Sequence, residues 1–477
     1  MNFKKETLFT ALCLVLAIFA DYSLFSGPVG ISYSVFLAVF YTFFFTSFRR
    51  TTFHHKQISG LVFFSILALT LAFAIYSNSL FNGLNFLLVP ILVFVHIVLL
   101  TNSSPIKWYR SEFIMILFEK VGQMMKCSVV MFTYQSRKIK RRMTDSTYQT
   151  GKRIGLGVLL SMPLLFVVTV LLSSADQEFA RILMLIPEKL FSLELDIVWT
   201  AVKVILLTVG FICFFKVIKK KSEVESYEFY GKKDREWDGI VLSTILLFIN
   251  LVYLLFVAVQ FQYFFSGSLQ EGFSYAEYAR RGFFELVLVT MINYIILLCT
   301  LTFHRQKSRL INGLLTFLIT FSVIMLSSAF MRLMLYEKAY GFTTSRILAH
   351  AFMIYLFVAF AFTLVKVWAP QLSLARFYIL FSILFYVGLN MINIDLIIVT
   401  NNIERYEQTE KLDVEYLTNL SYSAIPPLVE LHHRDPEIQE LEDMLLMKKK
   451  YLSEEEGRWQ SFNVSRERAK TALEKLE

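Results

Sequence analysis

The segment YAEYARRGFFEL (275–286) places Glu277, Arg281 and Glu285 four residues apart, with Arg280 beside them. On a helix these residues stack on one face as pairs of alternating sign, each contributing a few tenths of a kcal/mol at an exposed surface. At depth in lipid an unpaired charge costs a few kcal/mol, so the stripe must face protein or water. Two readings fit it: a salt-bridge ladder that locks one helix in place, and one wall of a polar site. Three further stretches combine charge, amide and tyrosine in the same way: LLSSADQEF (171–179) with Asp176, FMRLMLYEKAYGFTTSR (330–346), and NMINIDLIIVTNNIERYEQ (390–408) with Asn393, Asp395 and Arg405.

In the 330–346 stretch Arg332 and Tyr336 share a helix face, Gly341 ends that helix, and Thr343 or Thr344 caps the next. Arg332 and Arg346, flanking one short loop, suit a phosphate or carboxylate. The plainer reading is an interfacial hairpin whose arginines and tyrosines snorkel to the membrane surface. Asp395 is an isolated acid among Leu396, Ile397 and Ile398 in the outer third of the last expected span, and an arginine is its natural partner. Left unpaired, it would be protonated or would carry a cation.

Other chemistry is not visible in the chain. P-loop, GxGxxG, HExxH, GxSxG and EF-hand spacings are missing from the sequence. His54-His55 and His432-His433 are adjacent pairs that cannot share a helix face, no third ligand is spaced to join them, and both read as solvated. Cys13, Cys127, Cys213 and Cys299 are scattered singly and give neither a disulfide framework nor a zinc site. Neither a metal nor a cofactor is expected.

The elements that must position these residues are set by composition. Of 477 residues 56% are hydrophobic and 18% charged, with 48 phenylalanines and 9 prolines. A soluble fold cannot hide that much apolar surface. Apolar runs recur near 8–25, 29–48, 57–76, 80–100, 152–173, 197–218, 238–263, 284–303, 311–331, 347–367 and 377–398. Each is long enough to cross a hydrocarbon core of roughly 30 Å as a helix, which satisfies its own backbone in lipid. The expected fold is therefore all-α: a polytopic helical membrane protein with about eleven transmembrane helices and a small helical C-terminal appendage.

The net charge of +9 falls in loops between the spans, which argues for lipid contact and against nucleic acid. Lys and Arg number about 28 on one side of the expected spans and about 7 in the opposite loops, so the first side is the cytoplasm. The N-terminus then lies in the cytoplasm and the tail, from about 399, outside. All four polar stretches sit at outer helix ends. The two expected domains are 1–398, the transmembrane part, and 399–477, an extracytoplasmic helical tail. Segment 101–150 reads as helices lying on the cytoplasmic face, with RKIKRR (137–142) against anionic lipid headgroups, and 176–196 as an outer amphipathic loop. In the tail, 413–433, 435–453 and 461–477 read as helices, the second started by Asp435-Pro436.

At SAD (174–176), YAEYARRGFFEL (275–286), RLMLYEKAYGFTTSR (332–346), NIDLIIVTNNIERY (393–406), LDVEYL (412–417) and LSYSAIPPL (420–428), the chain resembles a bacterial multipass membrane family called domain of unknown function 4173. That family is related to the broader domain of unknown function 4153. DYSLFSGPVGISYSVF (21–36) is similar to the family's opening. The resemblance implies a bacterial plasma-membrane protein and carries no catalytic residue. Three functions stay open: a non-enzymatic sensing or scaffolding protein of the cell envelope that binds an envelope protein or ligand, a transporter or channel, and an enzyme acting on lipid-linked envelope substrates. Asn250, Asn293 and Lys203 are the polar groups that could serve transport near the midplane.

Overall fold

A computed structural model describes residues 3–102, 107–140, 195–220, 237–266, 283–303, 308–454 and 457–476, with isolated positions between 157 and 172. Every regular element among them is helical, as expected. In chain order the helices are α1 (Phe3–Leu24), α2 (Ile31–Ser47), α3 (Lys56–Ile75), α4 (Ser79–Thr101), α5 (Ser111–Lys140), α6 (Leu195–Lys219), α7 (Gly239–Ser266) and α8 (Phe283–Phe303). They continue with α9 (Arg309–Tyr340), α10 (Thr344–Trp368), α11 (Leu374–Met391), α12 (Ile394–Thr409), α13 (Val414–Thr418), α14 (Ile425–Arg434), α15 (Gln439–Glu454) and α16 (Val464–Leu473). Nine of these are long and apolar enough to cross a membrane, and α2 is apolar but only 17 residues long. The span expected at 152–173 and the loop 176–196 lie largely outside the described residues, as do Asp176, Glu277, Arg280, Arg281 and the side chains of 137–142.

The chain forms two compact units. The first holds α1, α2, α5, α6 and the last turn of α4. Its interior is built from phenylalanine: Phe44 and Phe215 are fully buried, and the Phe43 and Phe215 rings meet edge to face at 4.9 Å. Lys203 on α6 pairs with Asp21 on α1 at 2.8 Å, so the lysine considered for transport serves a helix-to-helix ion pair. Lys120 on α5 is buried, and its ammonium donates to the carbonyls of Val217, at 3.2 Å, and Lys220. A cation there satisfies orphan carbonyls and complements the negative end of α6.

The second unit holds α3, most of α4 and everything from α7 onward. Helix α9 is its axis, packed on α7, α8 and α10. On α8 the buried residues Phe283, Leu286, Thr290, Asn293, Leu297 and Thr300 recur at helical spacing and face this axis. Asn293 accepts from Tyr253 of α7 at 2.6 Å and donates to Ser322 of α9 at 2.9 Å, while Asn250 donates to Leu314 O at 3.0 Å. Both amides thus join helices, as polar residues in membrane bundles commonly do. Ser308 caps the start of α9, whose 32 residues extend about 48 Å, well beyond the hydrocarbon thickness. Its last turns still carry buried residues, Leu333 and Glu337.

Three sequence expectations are corrected. The single span 377–398 is two helices, broken at Ile392-Asn393, because the Asn393 side chain accepts from Leu396 N at 3.2 Å and caps a new start. Asp395 consequently lies in the first turn of α12 and not inside a span. The tail helix 413–433 is likewise divided into α13, a 3-10 turn at Tyr422–Ala424 and α14, since Pro426 and Pro427 are tolerated only in a first turn. Asp435 closes α14 and does not open the next helix, which begins at Gln439. Its carboxylate instead accepts from the Tyr406 hydroxyl at 2.7 Å, which holds that phenol above its ordinary pKa.

Candidate functional site

Backbone geometry fixes the turn between α9 and α10. Gly341 ends α9 at φ 82° and ψ 176°, a region essentially restricted to glycine. Asn402 of α12 seats on the turn: its Oδ1 accepts from Phe342 N at 3.1 Å and its Nδ2 donates to Phe342 O at 2.9 Å. Arg405, one turn on, donates to Ala339 O at 3.5 Å and Lys411 O at 3.0 Å. Thr343 occupies the cap position of α10 without a side-chain cap bond, where a threonine cap was expected, and Arg346 donates to Gly341 O while its guanidinium lies 4.3 Å from the Tyr336 ring centre. Such cation–π stacking holds the guanidinium beside the ring, with one of its nitrogens donating to Gly341 O.

A groove of about 690 Å³ opens here. Its apolar side is Leu80, Phe283, Phe284, Leu333, Leu348 and Ala349; its polar side is Tyr336, Thr343, Thr344, Ser345, Arg346 and Tyr416. The hydroxyl of Tyr416, from α13, accepts from Thr344 N at 2.9 Å and lies 3.2 Å from Thr344 Oγ1. That N–H is one of the donors a helix start leaves without an intrahelical partner. Tyr416→Phe is expected to cost about 1 kcal/mol, seen as a lower melting temperature and faster amide exchange at 343–346.

Among the described residues the Asp395 carboxylate is met by an amide, where the sequence expectation was an arginine. Asn78, in the α3–α4 turn, donates to both carboxylate oxygens, at 3.0 and 2.9 Å. An amide with two hydrogens serves because the acid sits in the first turn of α12, where the helix dipole already favours negative charge. Around it Asn85 joins Asn390 at 2.7 Å, Tyr386 donates to Asn85 at 2.8 Å, and Tyr76 donates to Met391 O at 3.0 Å. The adjoining cavity, about 10 Å³, is about large enough for one water. From the tail, Asn463 donates to Phe73 O and Tyr76 O at 2.7 and 2.8 Å, and Ser465 meets Ser77 at 3.0 Å.

Of the residues expected to form one site, Tyr336 and Arg346 line the groove, Arg405 braces the neighbouring turn, and Asn393 and Asp395 line the small cavity. Arg332 is half-buried one turn before Tyr336, and Glu285 is exposed in the first turn of α8, where an acid suits the dipole. Sequence reasoning missed Asn78, Asn402, Tyr416 and Asn463. It also missed a pair of buried Glu337 and half-buried His350, with Oε2 and Nε2 at 2.9 Å and the Phe330 ring 4.4 Å from the imidazole. Glu337 continues the buried stripe of α9, a signal that periodicity offers.

Long apolar helices joined by buried amides, with a helical tail pinned to their ends, define a polytopic helical membrane protein. More narrowly, the chain belongs to the family described as domain of unknown function (DUF4153), whose model matches residues 63–431. The match runs from α3 into α14 and contains the groove and the Asp395 cluster. No curated protein and no solved structure matches the chain.

Proposed function

We propose that this is a non-enzymatic sensing or scaffolding protein of a bacterial cell envelope, resident in the plasma membrane, with the groove beside Arg346 as its ligand-facing surface. One observation carries the reading: the groove is walled both by long apolar helices, through Leu333, Tyr336 and Arg346, and by the tail, through Tyr416. A molecule seated there touches both, so its arrival is felt by the element that meets partners. The motifs 275–286, 332–346 and 393–406 support the narrower family, domain of unknown function 4173.

Sidedness is supported by packing. The α3–α4 turn, the α9–α10 turn and the end of α11 all contact tail or α12 residues, through Asn463, Tyr416 and Asn402, and Asp395 and its neighbours. These are the helix ends that the charge bias assigns to the outer face. The enzyme reading needed Arg346 and Asp395 in one cavity, and they line different ones. For the transport reading, Asn250, Asn293 and Lys203 are engaged in helix contacts.

The test is a single cysteine at the exposed Ser453, in a chain lacking Cys13, Cys127, Cys213 and Cys299. Labelling of intact cells by an impermeant maleimide is expected. Protection before lysis and labelling after it would move the groove to the cytoplasm and end the envelope reading.

A further inference from the structure

The groove beside Arg346 lies where four membrane-length helices begin or end: Leu80 opens α4, Phe283 and Phe284 open α8, Leu333 is near the end of α9, and Leu348 and Ala349 are early in α10. Phe284 is 73% exposed and Leu80 43%, so the apolar side of the groove is open and not sealed by protein. The other side carries Tyr336 and Arg346 and, from the tail, Tyr416. Tyrosine and arginine at helix ends mark the headgroup level of a bilayer. A molecule seated here meets an apolar wall and a cationic rim within one groove of about 690 Å³, a volume inside the roughly 300–1,000 Å³ of small-molecule sites.

Most polar groups of the rim are already engaged. The Thr343 and Ser345 hydroxyls meet each other, and those of Thr344 and Tyr416 do likewise, with Tyr416 also accepting from Thr344 N. Arg346 gives Nη1 to Gly341 O and one face to the Tyr336 ring. Its Nη2 and Nε and the Tyr336 hydroxyl hydrogen-bond to no described residue, and no described carboxylate pairs with the guanidinium. Glu337, the acid beside Tyr336, is buried and pairs with His350 instead. The bland account is an interfacial arginine snorkelling toward headgroups at large. Against it, the stacked ring and the Gly341 carbonyl fix the guanidinium in place, and the groove is walled by the tail through Tyr416. Resting on the reading of this groove as the ligand-facing surface, we infer that it seats one anionic phospholipid. The phosphate sits at Arg346 Nη2 and Nε with the Tyr336 hydroxyl donating, and an acyl chain runs along Leu80, Phe284 and Leu333. A planar guanidinium edge suits two oxygens of one phosphate. A soluble phosphate would leave the apolar half of the groove unfilled.

The full chain would be placed in phosphatidylcholine nanodiscs doped with phosphatidic acid, and retention of that lipid read by native mass spectrometry. Glycerol phosphate, the head without chains, would be titrated in parallel, following melting temperature. Saturable retention of phosphatidic acid is expected. Arg346→Gln should weaken it by about tenfold or more, and Arg346→Lys should keep part of it. Leu80→Ala/Phe284→Ala, at two exposed positions, should also weaken retention while melting in pure phosphatidylcholine stays near native, which separates loss of a site from loss of the fold. Retention that does not saturate, or that is indifferent to Arg346→Gln and to the wall variant, overturns the assignment. Glycerol phosphate binding that is lost in Arg346→Gln and untouched by the wall variant also overturns it, and leaves the groove as the surface for a soluble ligand. Nanodiscs expose both faces, so the lipid result is independent of sidedness. Protection of the cysteine probe at position 453 in intact cells would end the envelope reading and leave the lipid assignment standing.

Discussion

Gly341→Ala is expected to lower the melting temperature sharply and to loosen the tail from the α9–α10 turn. An added Cβ would stand 2.3 Å from Asn402 Oδ1 and 3.2 Å from Arg405 Nε, at a φ of +82° that side chains rarely adopt. Backbone strain of this kind costs about 1–3 kcal/mol, and an Asn402 pushed aside leaves the Phe342 N–H and C=O without partners, adding about 1–3 kcal/mol. The Arg405 bonds to Ala339 and Lys411 share the same contact. Limited trypsin digestion in detergent should therefore cut the variant after Lys411 much faster than the native chain. An unchanged melting curve with an intact tail would mean that Asn402 does not seat on the turn.

Much of this frame is legible in sequence because it rests on local rules. Apolar runs give the long helices, and Gly341 gives the end of α9. The break at Ile392-Asn393 was not legible, since one capping asparagine was set against an apolar run long enough to continue as a helix. The Asp395 partner was hidden for another reason: Asn78 is 317 positions away, and a lone amide in a turn carries no local signature. Among the described residues an amide suffices, because a helix start supplies part of the compensation that an arginine would otherwise give.

Asn78 and Asp395 form the contact whose loss should cost most at the α12 start, and a double-mutant cycle separates its packing role from a functional one. Asp395 is 2% exposed, so Asn78→Leu strands a buried carboxylate, a change worth about 3–5 kcal/mol when it removes the partner of a buried charge. Asn78 also accepts from Phe81 N at 3.1 Å, which adds the loss of a cap at the start of α4. Asp395→Leu is expected to cost less, about 1–3 kcal/mol, since it orphans only the Asn78 amide hydrogens. The two removed together should cost less than the sum by about 1–3 kcal/mol, because the stranded partner is gone in the double variant. Asp395→Asn, which keeps the shape and one acceptor, should melt closest to the native chain. That variant is the informative one in cells. If Asp395 only fastens α12 to the α3–α4 turn, loss of function will track loss of melting temperature across all four variants. If its charge acts on a ligand or on the water-sized cavity beside it, Asp395→Asn will lose function while membrane abundance and melting stay near native.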